Sequence, residues 1–368
     1  MKRFVLFSGG SACRAINIAL CGKAQITRIV PAWDSGGSSK IIRQELGLLA
    51  VGDLRQALMT MAHGEGRAGD VVKICNARIS GNHSVADART EFLFYSEARH
   101  PLLERMEPGL RGAILNYLKT FIEAVGQGFD FRNGSIGNFI LTGACLAHNG
   151  DVNTAIFVFR KLCGIDGDVW PSSFDNDQNL SAILKDGRTV DRQDAITKLQ
   201  GSDSLVGIDH VRLRGSSGTL PDANPNVIEA LGKADLVVFG PGSFYTSILP
   251  HLQIKGIADA LSAARCPRVW IGNILQCRET LGMGLEDVLD AMSSQWEASD
   301  LGRKPLITHV LANRVLFPFE KTVGVFPYMA HEVCSETTSK VIVGEYEDAW
   351  NRGQHDGEAI AYALLHLG

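Results

Sequence analysis

Three glycine- and serine-rich segments of the chain combine the residue types that bind phosphate. They are residues 8–11 (Ser-Gly-Gly-Ser), 34–39 (Asp-Ser-Gly-Gly-Ser-Ser) and 240–247 (Gly-Pro-Gly-Ser-Phe-Tyr-Thr-Ser), and each follows a short run typical of a β-strand. In an open parallel α/β sheet, turns at the carboxyl ends of neighbouring strands face a common crevice, where backbone N–H groups and helix N-termini hold anions. The sequence therefore predicts a protein that binds a phosphorylated ligand.

The predicted phosphate-binding residues offer backbone amides, hydroxyl groups or room for close backbone approach. They are Ser8, Gly9, Gly10, Ser11, Gly36, Gly37, Ser38, Ser39, Gly240, Gly242, Ser243, Tyr245 and Thr246. Each of them alone also fits a structural role, because serine and threonine cap helices and a tyrosine can pack a turn instead of stacking on a base. Three such turns in one chain fit that alternative poorly, so we expect a ligand site.

Two aspartates, Asp34 and Asp53, bring negative charge to this region. A carboxylate inside an anion-binding turn needs a metal ion, a sugar hydroxyl or an amine as its partner, so Asp34 indicates more than a bare phosphate site. Asp53 and Arg55 open a predicted helix, where they are either ligand-binding groups or a capping acid and a solvated arginine.

Residues 132–138 (Arg-Asn-Gly-Ser-Ile-Gly-Asn) are unusual for the start of an apolar helix. Gly137 and Asn138 lower the helix propensity there, and an inward-facing Asn138 needs a hydrogen-bond partner. Asn138 is therefore a candidate binding residue.

Composition and charge exclude several classes of protein. The 368 residues are 45% apolar and carry a formal net charge of −4 from 36 basic and 40 acidic residues, without a long basic run. Neither nucleic acid nor a membrane surface is an expected partner, and no apolar stretch approaches the ~20 residues that span a bilayer. Eight scattered cysteines, without the spacing of a zinc site, are expected to be free thiols in a cytoplasmic protein.

The order of predicted elements indicates one α/β domain over residues 1–368. Strands at 4–7 and 26–30 flank a helix at 12–20, and residues 90–165 are predicted to form a helical insert that covers the sheet. Further strands are predicted near 169–173, 182–184, 208–213, 236–239 and 268–271. Their alternation with helices predicts a Rossmann-like parallel sheet with helices on both faces.

Standard nucleotide-binding and hydrolase motifs are absent from the first turn. Residues 8–13 match neither the G-x-G-x-x-G pattern nor the Walker pattern, and they lack the final glycine of a G-x-S-x-G nucleophile elbow. The ten histidines show no grouping typical of a catalytic triad or a metal site.

Taken together, the segments resemble the CofD family, which includes 2-phospho-L-lactate transferase of deazaflavin cofactor synthesis and the YvcK-like proteins. The matching stretches are residues 7–10, 34–39, 43–47, 52–55, 130–138, 224–225 and 240–247, with weaker matches at Asn273 and 279–280. The resemblance implies a Rossmann-like core that binds a nucleotide diphosphate conjugate, either GDP- or UDP-linked.

The two branches of this family differ in function. In the transferase branch, a phosphorylated hydroxy-acid group passes from a guanylyl donor to a deazaflavin alcohol with the assistance of Mg²⁺. In the YvcK-like branch, the ligand resembles a UDP-sugar and the role is regulatory, in cell-wall and carbon metabolism. The chain departs from both patterns, because Trp33 replaces an acidic residue commonly found beside Asp34 and Ser11-Ala12 replaces the usual Thr-Gly. Residues 51–54 also lack the acidic Pro-Asp-Leu-Asp type segment of the transferases, which weakens the case for deazaflavin as the acceptor.

The residues and the resemblance together predict transfer of a phosphorylated group to an acceptor alcohol. Asp34 and Asp53 would hold Mg²⁺ or orient the attacking hydroxyl, while the loop amides and Arg55 or Arg132 stabilise the charge on the diphosphate. The alternative is a non-catalytic regulator that binds a UDP-sugar in the same crevice. A homodimer is compatible with the sequence, which does not fix the oligomeric state.

Overall fold

A computed structural model describes residues 1–62, 68–215, 217–298, 304–315, 319, 321–330 and 338–367. Its described strands are β1 (Lys2–Phe7), β2 (Ala24–Val30), β3 (Asp168–Pro171), β4 (Asn179–Leu184), β5 (Thr189–Asp191), β6 (Ile208–Arg214), β7 (Leu236–Phe239), β8 (Arg268–Ile271), β9 (His309–Asn313), β10 (Thr322–Val323), β11 (Phe326–Pro327) and β12 (Lys340–Gly344). Seven of them form a sheet in the order β12-β9-β8-β7-β1-β2-β3, in which every neighbouring pair is parallel. The predicted Rossmann-like α/β fold is confirmed.

Helices flank this sheet. The described helices are α1 (Arg14–Leu20), α2 (Gly37–Leu46), α3 (Gly52–Met61), α4 (Ala68–Asn76), α5 (Val85–Ser96), α6 (Pro101–Glu104), α7 (Pro108–Ala124), α8 (Ile136–Ala147), α9 (Val152–Cys163), α10 (Gln193–Ile196), α11 (Ser202–Val206), α12 (Pro225–Lys233), α13 (Ile257–Ala263), α14 (Leu285–Glu297) and α15 (Gly357–Leu365). A π-helical turn (Phe244–Ile248) and a 3₁₀ turn (Leu249–Gln253) follow β7. Helices α6 to α9 lie within residues 90–165, for which a helical insert is predicted, and α5 begins five residues before this range.

The residues of β1 alternate between two hydrophobic cores, one on each face of the sheet. Phe4 and Leu6 pack with the helices of the insert, whereas Val5 and Phe7 pack on the opposite face. Because both faces are covered, a central strand such as β7 is apolar and buried along its whole length.

Segments 182–184 and 208–213 belong to a different sheet from the one predicted. Strand β4 pairs antiparallel with both β5 and β6 in a separate three-stranded sheet. Buried residues of β4 alternate with more exposed ones, a pattern typical of an antiparallel sheet with one solvated face. The expectation that these segments join the parallel sheet is therefore wrong, because it took account of the order of elements and not of this alternation.

Strand β1 lies in the middle of the parallel sheet, and the strand order reverses beside it. From β1 the chain proceeds through β2 to β3 at one edge, and later from β7 through β8 and β9 to β12 at the other edge. The strand order thus reverses between β1 and β7, and open parallel sheets bind ligands at such a point, outside the carboxyl ends of the strands. The three glycine-rich segments are the turns that follow β1, β2 and β7.

Two further expectations can be compared with the described residues. Seven of the eight cysteines lie there and are free thiols, whereas Cys334 lies outside the described residues. None of the helices in the described ranges combines the length and the apolar character needed to cross a membrane.

Candidate functional site

The turn after β1, residues 8–11, rests on a buried arginine of β2. Arg28 is 0% exposed. Its Nε and Nη2 donate to the Ser8 hydroxyl at 3.1 and 2.7 Å, and Nη2 also donates to the Gly9 carbonyl oxygen at 2.5 Å. Its Nη1 donates to the hydroxyl of Thr60 on α3. The guanidinium thus holds the turn from its buried side. Ser8 is fully buried, so its hydroxyl contacts Arg28 and does not lie at the surface of the crevice.

Asp53, in the first turn of α3, contacts the same segment from the side. The Gly10 N–H donates to Asp53 Oδ1 at 3.3 Å. A Cβ on Gly10 would lie 2.6 Å from that oxygen and 2.8 Å from the Cβ of Gln56, so a larger residue would separate the turn from α3. The structure thus brings Gly10 and Asp53 together, although they are 43 positions apart in the chain.

The turn after β2 also lies against the start of α3. Asp34 accepts a hydrogen bond from the Gly36 N–H at 2.9 Å and another from the Ser39 hydroxyl. A Cβ on Gly52 would overlap with the Asp34 carboxylate and the Ser39 hydroxyl. Glycine at position 52 therefore allows the first turns of α2 and α3 to meet.

The first turn of α2 presents backbone amides toward this meeting point. No described residue accepts a hydrogen bond from the N–H groups of Gly37, Ser38 or Ser39, and no side chain caps the helix. Such N–H groups carry the positive end of the helix dipole and bind anions well. Gly37 is exposed, whereas Ser38 and Ser39 are 4% and 1% exposed. The role of these three residues in phosphate binding stays a prediction.

The two aspartates influence each other. Burial, and next the charge of Asp34, raise the pKa of Asp53 to about 7. Burial also raises the pKa of Asp34. Arg28 and Arg55 act on Asp53 only through longer-range charge, which is too weak to reverse the shift. Near neutral pH, Asp53 is therefore partly protonated, and no described cationic side chain forms an ion pair with either carboxyl group.

Arg55, Asn138 and Ser38 form a chain of hydrogen bonds beside the aspartates. The Nε of Arg55 donates to Asn138 Oδ1 at 3.0 Å, and Asn138 Nδ2 donates to the Ser38 hydroxyl at 2.9 Å. A Cβ on Gly137 would overlap with the carbonyl oxygen of Cys75. The unusual Gly-Asn pair at the start of α8 is thus explained, because the glycine permits close packing and the asparagine links α8 to α2 and α3.

The turn after β7 is occupied by a carboxylate of the protein itself. Glu279 Oε2 accepts hydrogen bonds from the N–H groups of Tyr245 and Thr246 at 3.0 and 3.1 Å, and Oε1 accepts one from the Thr246 hydroxyl at 2.6 Å. Burial raises the pKa of Glu279 to about 7. Tyr245 and Thr246 are 2% and 0% exposed, so the structure does not place them at the surface of the crevice.

Gly242 and Asn273 hold the outer part of that turn. The Gly242 N–H donates to Asn273 Oδ1 at 3.0 Å, and Asn273 Nδ2 donates back to the Gly242 carbonyl at 2.9 Å. Gly242 has a φ of 136°, which favours glycine. Gly240 donates its N–H to the Phe7 carbonyl at 2.8 Å, which joins this turn to the end of β1.

A cleft of about 530 Å³ opens between the turns after β1 and β7. Its walls include Ser11, Arg14, Gly242, Ser243 and, from the segment before α15, Asp348, Asn351, Gly353, Gln354 and His355. Arg14 is the only arginine or lysine among the described residues of its lining. The volume lies in the range of small-molecule sites.

One predicted binding residue is engaged elsewhere. Arg132 lies in the loop before α8, where its guanidinium forms an ion pair with Asp130 at 2.7 Å. The structure therefore groups Arg55 and Asn138 with the aspartates, but not Arg132.

The sequence did not predict that Arg28 supports the turn after β1, that Arg14 lines the cleft, or that Glu279 contacts the turn after β7. The signal for Arg28 was a charged residue inside the apolar run of β2, Ala-Gln-Ile-Thr-Arg-Ile-Val. Arg14 carries no such signal, because an exposed arginine in a first helical turn is common. Glu279 was noted only as a weaker part of the family resemblance.

Comparisons with known proteins agree with this architecture. The family model described as "2-phospho-L-lactate transferase CofD" matches residues 4–324. A Streptococcus pyogenes protein named "Putative gluconeogenesis factor" is 30% identical over 377 residues, which cover 99% of this chain and 97% of that protein. The "Gluconeogenesis factor" of Listeria monocytogenes is 28% identical over 319 residues, or 86% of this chain and 80% of that protein. A crystal structure of a UPF0052 family member from Bacillus halodurans has the same fold, with a TM-score of 0.72, 22% identity and full coverage of both chains.

The raised pKa of Asp53 predicts a pH-dependent stability difference. The folded protein keeps the Asp53 proton up to about pH 7, whereas the unfolded chain releases it near pH 4. Asp53 therefore favours folding least above pH 7, and its contribution declines as pH rises from about 4 to 7. Asp53→Asn removes this pH-dependent contribution. The free energy of unfolding of the variant minus that of wild type should therefore increase by about 1–4 kcal/mol from pH 5 to pH 8. Urea unfolding at both pH values measures the change, and an equal difference at pH 5 and pH 8 would contradict it.

Proposed function

The chain belongs to the CofD family, and on that premise we propose that it binds a nucleoside diphosphate conjugate and transfers a phosphorylated group from it to an acceptor alcohol. In this proposal, the diphosphate lies against the first turn of α2 and the turn after β1. The rest of the conjugate extends into the cleft toward Arg14.

The observation that supports transfer most directly is the position of Asp34 and Asp53 beside the amides of α2. The amides attract an anion, whereas two carboxylates repel it. A bare phosphate is therefore a poor fit to the site. A phosphate accompanied by a metal ion, or by a hydroxyl group that donates to the carboxylates, fits well, and phosphoryl transfer brings both together.

The residues present fit a magnesium ion. Each carboxylate has a raised pKa, chiefly because of burial, and a divalent cation would favour the charged form of both. Within the described ranges, no group of three or more His, Cys, Asp or Glu side chains can hold a metal by itself. Mg²⁺ commonly takes one or two carboxylates and completes its shell with substrate phosphates and water. Asp34 and Asp53 would hold the ion, which when bound neutralises charge on phosphoryl oxygens.

The other groups of the site would bind and orient the reactants. The N–H groups of Gly37, Ser38 and Ser39 donate to phosphate oxygens, as helix N-termini do in other phosphate sites. A carboxylate oxygen of Asp53 or Asp34 accepts a hydrogen bond from the acceptor hydroxyl and directs it toward phosphorus. The new bond between the acceptor oxygen and phosphorus forms as the bond to the departing nucleoside monophosphate breaks, and the hydroxyl proton passes to that carboxylate.

A regulator without catalytic activity is the second candidate. The name of the Listeria relative, "Gluconeogenesis factor", refers to a role in metabolism and not to a reaction. A sugar hydroxyl of a nucleotide sugar could donate to Asp34 and Asp53 without any transfer. The two candidates share the binding site and differ only in whether a chemical step occurs after binding.

The position of Gly37 predicts a selective loss of diphosphate binding. Gly37 has a φ of 49° at the start of α2, and Gly47 has a φ of 61° after its end, with no atom within 4 Å of an added Cβ at either position. Gly37→Val should weaken binding of GDP or UDP by about tenfold or more, because the amides beside it lose their alignment. Gly47→Val has the same backbone strain at the other end of α2 and should bind as wild type does. Calorimetric titration measures both variants, and equal affinities would remove α2 from the site.

Asp53→Asn separates transfer from binding. The variant should bind the conjugate within about tenfold of wild type, a difference of ~1.4 kcal/mol, but lose turnover by about 10²-fold or more. The assay is release of nucleoside monophosphate from GDP- and UDP-linked donors with Mg²⁺ and a panel of acceptor alcohols. Asp259→Asn, on the exposed side of α13, is the matched control and should retain full turnover.

The same assay identifies a regulator. In that case wild-type protein binds the conjugate but releases no nucleoside monophosphate with any acceptor, and Asp53→Asn changes affinity alone.

A further inference from the structure

We propose that Arg28 is the buried cation of the phosphate site and acts on the bound diphosphate through the peptide groups of the turn after β1. The inference rests on the proposed function, because it requires an anion at this turn. Every hydrogen bond that the guanidinium forms with a described residue goes to an uncharged oxygen. The acceptors are the hydroxyls of Ser8 and Thr60 and the carbonyls of Gly9, Gly10 and Ala57.

A charge in this position is unfavourable unless something offsets it. Arginine remains protonated in proteins, although burial lowers the pKa of Arg28. Asp53 is on the far side of the turn and acts on Arg28 through charge alone, without a hydrogen bond. A buried cation without a carboxylate in contact destabilises a fold. An anion bound above the turn would offset this cost.

The geometry of the turn connects Arg28 to the crevice. In a trans peptide group, the C=O and N–H bonds point in opposite directions. The Gly9 carbonyl faces Arg28 at 2.5 Å, so the Gly10 N–H points away from it, toward Asp53. The Gly10 carbonyl lies 3.5 Å from Arg28 Nη2, so the Ser11 N–H also points away, and no described residue accepts a hydrogen bond from it.

The positive end of the Gly9–Gly10 peptide dipole therefore points toward Asp53, and that of the Gly10–Ser11 dipole points away from the guanidinium, toward the crevice. The charge of Arg28 and the Gly10–Ser11 dipole act there in the same direction. Their combined field favours a ligand in proportion to its negative charge, so a diphosphate gains much more than an uncharged nucleoside. Arg28 is in this sense a positioning and electrostatic residue that never touches the ligand.

The chain offers a matched control for the loss of a buried arginine. Arg268, the first residue of β8, is 4% exposed. Among the described residues, its guanidinium donates only to the backbone carbonyls of Leu306, Ala264 and Pro305, at 2.7, 3.2 and 3.0 Å. It lies at the amino end of its strand, opposite the crevice. Arg268→Gln therefore removes similar bonds without removing charge from the site.

The experiment compares affinities for GDP, UDP and the two nucleosides in four proteins: wild type, Arg28→Gln, Arg28→Lys and Arg268→Gln. Arg28→Gln should lose about 10- to 100-fold in diphosphate affinity relative to nucleoside affinity. Arg28→Lys keeps the charge and should restore the preference for diphosphate to within about tenfold of wild type. Arg268→Gln should leave every affinity unchanged, although it lowers the melting temperature.

The outcomes separate this inference from the proposed function. Wild-type protein that binds neither GDP nor UDP overturns the proposed function, and the role of Arg28 with it. Wild-type protein that binds them, together with equal losses for diphosphate and nucleoside in Arg28→Gln, overturns the inference alone.

A second measurement keeps the test valid if Arg28→Gln does not fold. In wild-type protein labelled with ¹⁵N-arginine, the Nε–H resonance of Arg28 is assigned by its absence in Arg28→Lys. Addition of GDP or UDP should shift this resonance and leave that of Arg268 in place. An unchanged Arg28 resonance at saturation would show that its charge does not act on the ligand.

Discussion

Arg28 is the group on which the rest of the site depends. It brings a positive charge into the layer between β2 and α3, where it holds the Ser8 hydroxyl and the Gly9 carbonyl and reaches Thr60. These bonds turn the carbonyls of the first turn inward and therefore its amides outward. The same bonds join the first turn to α3, which presents Asp53 to the Gly10 amide. The orientation of the turn and the position of the carboxylate thus follow from one buried interaction.

The distribution of carboxylates indicates which helix start could bind the proposed ligand. Glu279 satisfies the amides of Tyr245 and Thr246, so the protein supplies its own anion at the turn after β7. The amides that open α2 have no acceptor among the described residues. A phosphate bound at the start of α2 would accept hydrogen bonds from these amides, as Glu279 does from the amides of the turn after β7. The turn after β7 then acts mainly as a wall of the cleft, with Gly242 held by Asn273.

Local sequence predicted the turns, because glycine and serine after an apolar strand are typical of a strand-to-helix turn, and it predicted the parallel sheet from the order of elements. It did not predict which residues of a turn are buried. Ser8 and Thr246 are buried against long-range partners, Arg28 and Glu279. Ser38 and Ser39 are buried as well, in contact with Asn138 and Asp34. The separate sheet of β4, β5 and β6 was not predicted, for another reason. Buried and more exposed residues alternate along β4, whereas a strand inside a parallel sheet is apolar throughout, and this difference is visible only residue by residue. The role of Arg28 could not be predicted from the sequence, because it depends on contacts with the turn after the neighbouring strand β1 and with α3.

The central claim is that Asp34, Asp53 and the amides of α2 form one site for a metal ion and a diphosphate. The most direct test is an anomalous difference map from crystals grown with Mn²⁺ and GDP or UDP. We expect a manganese peak within about 2.2 Å of oxygens of Asp34 and Asp53 and of the diphosphate, with the phosphates against the amides of Gly37, Ser38 and Ser39. A diphosphate bound elsewhere, or bound at these amides with no manganese at the two aspartates, would contradict it.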